Sequence, residues 1–343
     1  MNLDRFSVAT VNLYNLNLPG VAMYRDVEGW SPEEYAKKLA WLSQQLKRLD
    51  ADIVGFQELW HRDALAEVVD AAGMTHSYDL LAEPADGSEI WCGAIVRRGL
   101  MVGDPTWTAT FPETVRLESS EDASDPQAPA ITVRISGFSR PVLSFDVRLR
   151  DDVDLTRVFV AHLKSKLPTE IRHEPWYEAN PELFKPHATA LGAGIATIRR
   201  TAEAVALRNI LTDVMKDTST PVLVLGDLND GQHSNTMNIL TAQPRYLPGS
   251  HLGGADVGLY TAQTLQEYRD TRDVYYTHVF QDLRESLDHI LLSEQFYDHS
   301  TDRLWLFDGL VINNDHLNYD DHKASGTGDH GIVQVHFKHA PRR

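Results

Sequence analysis

Val222-Leu223-Val224-Leu225-Gly226-Asp227-Leu228-Asn229 is the stretch on which the fold turns. Its apolar run is too short for a helix and reads as a strand buried on both faces. It stops abruptly at an acid and an amide. The same arrangement recurs outward from it: Ile53–Phe56 is followed at once by Gln57 and Glu58, Phe6–Leu13 ends around Asn12, and Val158–Ala161 leads into His162. Asp329 and His330 stand just before Ile332–Phe337. Trp91–Val96, Val142–Leu149 and Leu287–Leu292 are further strand candidates. Polar groups therefore gather where strands end, which is where sheet-based proteins commonly carry their chemistry.

Between the strands lie helical patterns. Ser31-Pro32-Glu33-Glu34 supplies an N-cap, a proline in the first turn and a capping-box glutamate. The helix that follows places Tyr35, Leu39, Leu42, Leu46 and Leu49 on one face. Thr197–Met215 reads as a second helix. Strands alternating with helices indicate an α/β protein. No repeat of fixed period is visible. Leu117–Pro129 and Pro168–Pro186 read as loops, the second as an insertion within one domain spanning 1–343. Its Trp176, Tyr177 and Phe184 suit either a stacking platform or an anchor for the loop.

The chain has 343 residues, 42% hydrophobic and 24% charged, which excludes wholesale disorder and collagen-like structure. Cys92 is the single cysteine, so no internal disulfide and no cysteine-rich metal site can form. No apolar run approaches the roughly 18 residues of a membrane span. With no secretory leader visible, a cytoplasmic monomer without membrane insertion is expected; secretion is the alternative if a leader has been removed. The formal charge of −17 disfavours non-specific attraction to polyanions. Between His162 and Ile210, however, seven bases outnumber five acids, so an anionic ligand is expected near that segment.

Glu58, Asp227 and Asp329 offer hard oxygen donors with no thiolate among them, which suits Mg2+ or Mn2+. Asn314, Asp315, His316, Asp320, Asp321 and His322 form a second polar cluster that is a candidate for a second divalent cation. A phosphodiester repels an incoming hydroxide, so its hydrolysis needs a bound cation and positive donors around the phosphoryl oxygens. An imidazole such as His330 is suited to take the proton of the attacking water near neutral pH.

Six fragments occur in order: Thr10-Val11-Asn12-Leu13-Tyr14-Asn15, Gln57-Glu58, His162-Leu163-Lys164-Ser165-Lys166, Gly226-Asp227-Leu228-Asn229, Leu287-Asp288-His289-Ile290-Leu291-Leu292 and Gly328-Asp329-His330-Gly331. Together they resemble the endonuclease/exonuclease/phosphatase superfamily, and in style its bacterial nuclease members, from residue 6 to 337. The resemblance implies a four-layer αββα sandwich, two packed and mostly antiparallel sheets flanked by helices, with a metal-dependent site at one edge. It implies Asn12, Glu58 and Asp329 as metal ligands. It also implies Asp227 and Asn229 as groups that contact the phosphate and position the nucleophile, Asp288 and His330 as a dyad, and His162 as a contact to the phosphate or leaving oxygen. The His330–Asp288 dyad is favoured as base, with Asp227 the competing candidate. Asn15, Lys164, Lys166 and Arg200 are expected to contact substrate. Two departures stand out: Ser286 where many members have arginine, and Gly328 where the last motif often has serine.

The leading expectation is a Mg2+- or Mn2+-dependent phosphodiesterase acting on nucleic acid, most plausibly a DNA nuclease. The acidic total favours short or single-stranded substrates over duplex. The alternative is a phosphatase or phosphodiesterase of a small-molecule or lipid-linked phosphate, like the sphingomyelinases or inositol phosphatases. The sequence shows no apolar hairpin for membrane docking, which weakens the lipid version. A third reading, a non-catalytic scaffold that binds a partner through Pro168–Pro186, is disfavoured by retention of the whole residue set.

Overall fold

Each expected strand is found, its ends shifted by a few residues from its apolar centre. The computed structural model describes residues 2–24, 27–120, 127–246, 257–273, 275–318 and 321–341. In chain order its first half comprises β1 (Arg5–Leu16), α1 (Pro32–Leu49), β2 (Ile53–His61), α2 (Arg62–Ala71), β3 (Tyr78–Leu81), β4 (Asp86–Arg97), β5 (Met101–Thr110), the short pair β6 (Glu118–Ser119) and β7 (Ile131–Thr132), β8 (Gly137–Val147) and β9 (Thr156–His162). The second half comprises α3 (Pro175–Ala179), α4 (Pro181–Phe184), α5 (Ala188–Met215), β10 (Val222–Asp227), α6 (Asn235–Thr241), β11 (Tyr260–Thr261), α7 (Ala262–Arg269), β12 (His278–Phe280), β13 (Leu283–Glu285), β14 (Asp288–Leu292), β15 (Trp305–Asn313), α8 (His322–Ser325) and β16 (Ile332–His339).

The strands form two six-stranded sheets, in the orders β15-β16-β1-β2-β4-β3 and β11-β14-β10-β9-β8-β5. Each is antiparallel apart from one central parallel pair: β1 with β2 in the first sheet and β9 with β10 in the second. Their inner faces share one core, in which Val8, Ile53 and Val335 meet Val160, Leu225 and Ile290. The outer face of the first sheet packs under α1 and α2 through Leu42, Leu46, Val68 and Phe56. The outer face of the second lies under α5 and α6 through Leu207, Leu211, Met237 and Val224. Four layers follow, helix on sheet on sheet on helix, as expected for an αββα sandwich.

The capping box at Ser31 is present, with the Ser31 side chain accepting from the Glu34 amide and the Glu34 carboxylate from the Ser31 amide. Three loop expectations need correction. α5 begins at Ala188, nine residues before Thr197, and the insertion Pro168–Pro186 contains α3 and α4. Within it Tyr177 is buried, and Trp176 meets Phe184 edge-on at 4.9 Å, so these rings pack on one another within the segment. The middle of Leu117–Pro129 lies outside the described residues. An apolar hairpin is also present after all: β12 and β13 pair antiparallel and leave Phe280 57% and Leu283 68% exposed at their tip. Among the described residues, no helix is long and apolar enough to cross a membrane.

Candidate active site

Both parallel pairs end at the same edge of the sandwich. Asn12 and Glu58 come from the carboxyl ends of β1 and β2, and His162 and Asp227 from those of β9 and β10, paired side by side. Asp288 opens β14 opposite Asp227, and Asp329 and His330 lead into β16. Strand direction alone thus delivers these groups to one end. Gly226 makes the β9–β10 approach feasible, because a Cβ there would lie 2.1 Å from the Ala161 carbonyl oxygen.

On the first sheet the backbone is distorted to aim the acid. The β1–β2 register shifts between Asn12 and Leu16, and Tyr14, Asn15 and Glu58 all have left-handed backbones, with φ of 49°, 55° and 57°. Such conformations in residues other than glycine cost energy and gather at functional sites. The Asn15 amide donates to Glu58 Oε2 at 2.9 Å, while the Asn15 carbonyl and side-chain oxygen accept from the indole N–H groups of Trp30 and Trp60. Asn15 therefore acts on Glu58 through its backbone amide.

Two side-chain hydrogen bonds join the sheets across the cleft. Asn12 Nδ2 donates to Asp227 Oδ2 at 3.1 Å, and His330 Nδ1 lies 2.9 Å from Asp288 Oδ2. His330 Nε2 then faces Asp227 Oδ2 at 3.9 Å, and His162 Nε2 approaches the same oxygen at 3.4 Å. Asp227 Oδ1 accepts the Asn229 amide, and Asn229 Nδ2 donates to the Leu163 carbonyl. Asp227, Asn229, Asp288, His162 and His330 are all buried.

Electrostatics divides these groups. Burial pushes the Asp227 carboxyl up to about 7, with Asp288 and Glu58 reinforcing it against the opposing pull of His330. Burial works against a charged His330, yet Asp288, Asp227 and Asp329 raise it well above the usual imidazole range. His162 goes the other way: burial, then Arg140, His330 and Lys164, hold it well below that range, so it is the neutral imidazole of the pair. The two histidines that looked alike in sequence are pushed in opposite directions, His330 toward the imidazolium and His162 toward the neutral ring.

Burial also raises Glu58, and Asp329 adds repulsion. Among the described residues, Asp329 Oδ1 has no hydrogen-bond partner and is shielded from solvent. Crowded carboxylates with an orphaned oxygen, beside the Asn12 amide, fit a hard divalent cation. Among the described residues, His278, Asp329 and His330 form one group that could hold a metal ion, and Asp227, Asp288 and His330 another. The cluster expected to bind a second cation does not converge in this way. Asp321 caps α8 through the Ala324 amide, Asn314 donates to the Tyr276 carbonyl, His316 Nε2 faces the His330 carbonyl oxygen, and His322 bonds Thr327. Asp320 lies outside the described residues.

The cations rearrange the substrate-binding expectation. Lys166 lies 2.7 Å from Glu285 and 3.4 Å from Asp230, and buried Arg200 lies 3.4 Å from Asp230. Both have acidic partners of their own. Lys164 has no such ion pair among the described residues; its ammonium donates to the Ser165 hydroxyl at 3.0 Å.

Three site residues escaped the sequence reading. Arg140 enters from β8, donates to the Leu163 carbonyl at 3.3 Å, and acts electrostatically on both Glu58 and His162. His278 sits on β12 with its ring 4.8 Å from that of His330, held there because Gly331 donates to the Thr277 carbonyl at 2.6 Å. Lys38 is 0% exposed on the inner face of α1, its ammonium 4.6 Å from the Trp30 ring and 5.0 Å from the Tyr14 ring, with Asp329 and Glu58 the charges that favour it. Lys38 alone had a signal: it lies three residues after Tyr35, on the apolar stripe of its helix.

The profile of the Endonuclease/Exonuclease/phosphatase family matches residues 9–330. No curated protein matches the chain at the level of sequence. Among solved structures, an endonuclease/exonuclease/phosphatase from Bacteroides vulgatus superposes with a TM-score of 0.56 at 13% identity, covering 98% of this chain and 99% of that one. TDP2 of D. rerio, complexed with a single-strand DNA product, superposes at 0.53 and 15% identity, covering 97% and 99%. A mannosyl-6-phosphatase of Bacteroides thetaiotaomicron superposes at 0.53 and 14%, again covering 97% and 99%.

Proposed function

This chain belongs to the Endonuclease/Exonuclease/phosphatase family, and from that premise we propose that it is a divalent-metal-dependent phosphodiesterase that cleaves single-stranded nucleic acid, DNA foremost. The observation that carries this reading is the pair of bonds across the sandwich, Asn12 to Asp227 and His330 to Asp288, which gathers acids, imidazoles and an amide around one cleft. Asn12, Glu58 and Asp329 would hold Mg2+ or Mn2+, which supplies neutralisation of charge on the phosphoryl oxygens.

We assign the role of base to Asp227 in place of the His330–Asp288 dyad. With His330 kept protonated by the acids around it, Asp227 is the group left to receive a proton from water, and its elevated pKa suits that task near neutrality. The water oxygen bonds to phosphorus, its proton passes to Asp227, and the ester oxygen leaves with the bonding pair and is protonated by solvent. The His330 imidazolium, turned by Asp288, stabilises the charge that builds on the phosphoryl oxygens. Neutral His162 donates a hydrogen bond and Asn229 orients the phosphate, while Arg140 and Lys164 give this side of the cleft a positive flank. A nucleic-acid substrate is supported by this positive flank in an acidic chain and by the likeness to a protein seen with a DNA product.

One observation favours a second reading, a lipid-linked phosphate ester: the exposed Phe280 and Leu283 tip the same hairpin that presents His278 to His330. The test is a panel of single- and double-stranded DNA, RNA, bis-p-nitrophenyl phosphate, p-nitrophenyl phosphate and phospholipid vesicles, each with Mg2+, Mn2+ or EDTA. The diester should be cleaved faster than the monoester, and single-stranded DNA faster than duplex. Faster release from the monoester, action on vesicles alone, or turnover that survives full chelation would refute the reading.

A further inference from the structure

Positive charge gathers beside His162. Three elements bring it there. The start of β8 carries Arg140, the segment after β9 carries Lys164, and α5 carries Arg199. Buried Glu203 of α5 ties them together, its two oxygens accepting the backbone amides of Ser139 at 2.9 Å and Lys164 at 2.6 Å. Arg140 and Lys164 are thereby fixed from behind at the backbone.

The cations differ in how they are neutralised. Arg200 and Lys166 have Asp230 and Glu285. Among the described residues, Arg140, Lys164 and Arg199 have no carboxylate within ion-pair distance; the Arg140 guanidinium bonds only neutral groups, the Leu163 carbonyl and the Tyr24 hydroxyl, and the Lys164 ammonium only the Ser165 hydroxyl and the Ser165 and Leu167 carbonyls. Lys164 is half-buried, and its ammonium is pushed down to about 8 by that burial and by Arg140, Arg199 and Arg200, against the pull of Glu203. Like charges crowd together in a chain of net charge −17, where dispersing them would cost nothing in solubility. Such a cluster favours an anion that bridges its members.

We propose that Arg140, Lys164 and Arg199 form a second phosphate subsite beside His162. It takes a second phosphate carried by the same ligand as the reacting ester, so the preferred substrates are nucleotides or short strands bearing that extra phosphate. The proposal rests on the reaction assigned to the same cleft, and its test separates the two. Thymidine 3′,5′-bisphosphate, thymidine 3′-monophosphate and thymidine 5′-monophosphate are titrated into the full chain by calorimetry. Hydrolysis of bis-p-nitrophenyl phosphate, which has no second phosphate, is followed on the same preparations.

The bisphosphate should bind at least about tenfold more tightly than either monophosphate, as expected for an added set of charge-assisted contacts. The margin should shrink as salt is raised. Lys164→Gln and Arg199→Gln should each reduce it to about threefold or less, and Lys164→Arg should retain most of it. Circular dichroism verifies the fold of each variant. Equal affinities in the wild-type chain, or a full margin in both glutamine variants, would overturn the subsite. Metal-dependent hydrolysis of the diester without any bisphosphate margin overturns the subsite alone. A margin without hydrolysis supports the subsite and overturns the reaction.

Discussion

Replacing Asp288 by asparagine keeps the shape of the site and removes one charge from its most enclosed pair. Asp288 is fully buried, its Oδ2 lies 2.9 Å from His330 Nδ1, and its Oδ1 has no hydrogen-bond partner. The new amide has two orientations. With its nitrogen toward the ring it sets one N–H against another; with its oxygen toward the ring it puts an NH2 group where the buried carboxylate oxygen stood without a partner among the described residues. A charge-assisted hydrogen bond contributes about 1.5–3 kcal/mol, and at about 1.4 kcal/mol per factor of ten that converts to a loss of roughly 10- to 150-fold. The fall should appear in kcat, since the bond orients a group that meets developing charge, with KM nearly unchanged. The assay is steady-state cleavage of bis-p-nitrophenyl phosphate at saturating Mg2+, with a melting curve as control. A kcat within about threefold of wild type in a folded variant would refute the idea that Asp288 orients His330.

Lys38→Met should stabilise the chain at pH 7, because burial pushes the ammonium down to about 7 from its ordinary 10.5. The unfolded chain binds the extra proton between those values, so wild-type stability should rise with pH across that window, by up to about 1.4 kcal/mol per pH unit. Urea melts at pH 7 and pH 10 check this; parallel behaviour of variant and wild type would sink it. Gly226→Ala should destabilise the chain by about 1–3 kcal/mol or more, since its methyl group would meet the Ala161 carbonyl. Activity should fall with it, because Asp227 is the next residue, and an unchanged urea midpoint would contradict the close approach of β9 and β10.

The layers were legible because their signals are local. An apolar run such as Val222–Leu225 cannot lie anywhere but inside a sheet, and Ser31-Pro32-Glu33-Glu34 can hardly begin anything but a helix. The groups at strand ends were legible for the same reason. What stayed hidden depends on partners distant in the chain. Arg140 lies inside β8 with no motif around it, and it joins the site only because β8 pairs with β9. His278 is brought to His330 because the Gly331 amide docks on the Thr277 carbonyl, about fifty residues away in the chain. The opposite pKa shifts of His162 and His330 follow from the cations around the first and the carboxylates around the second, which no spacing records. The paired state of Lys166 and Arg200 was equally out of reach, because Asp230 and Glu285 approach them from other elements.

The cleft has two owners. Asn12, Glu58, Asp329 and His330 travel with one sheet, and His162, Asp227, Asn229 and Asp288 with the other. What keeps the halves in register is the apolar seam between the sheets, where Val8 and Ile53 meet Val160 and Leu225. A slip of one sheet over the other by the width of a hydrogen atom would lengthen the Asn12–Asp227 and His330–Asp288 bonds while leaving every strand intact. The chemistry is thus a gauge of shear in the sandwich: a methyl group lost deep in the seam reaches the phosphate long before it unravels the chain.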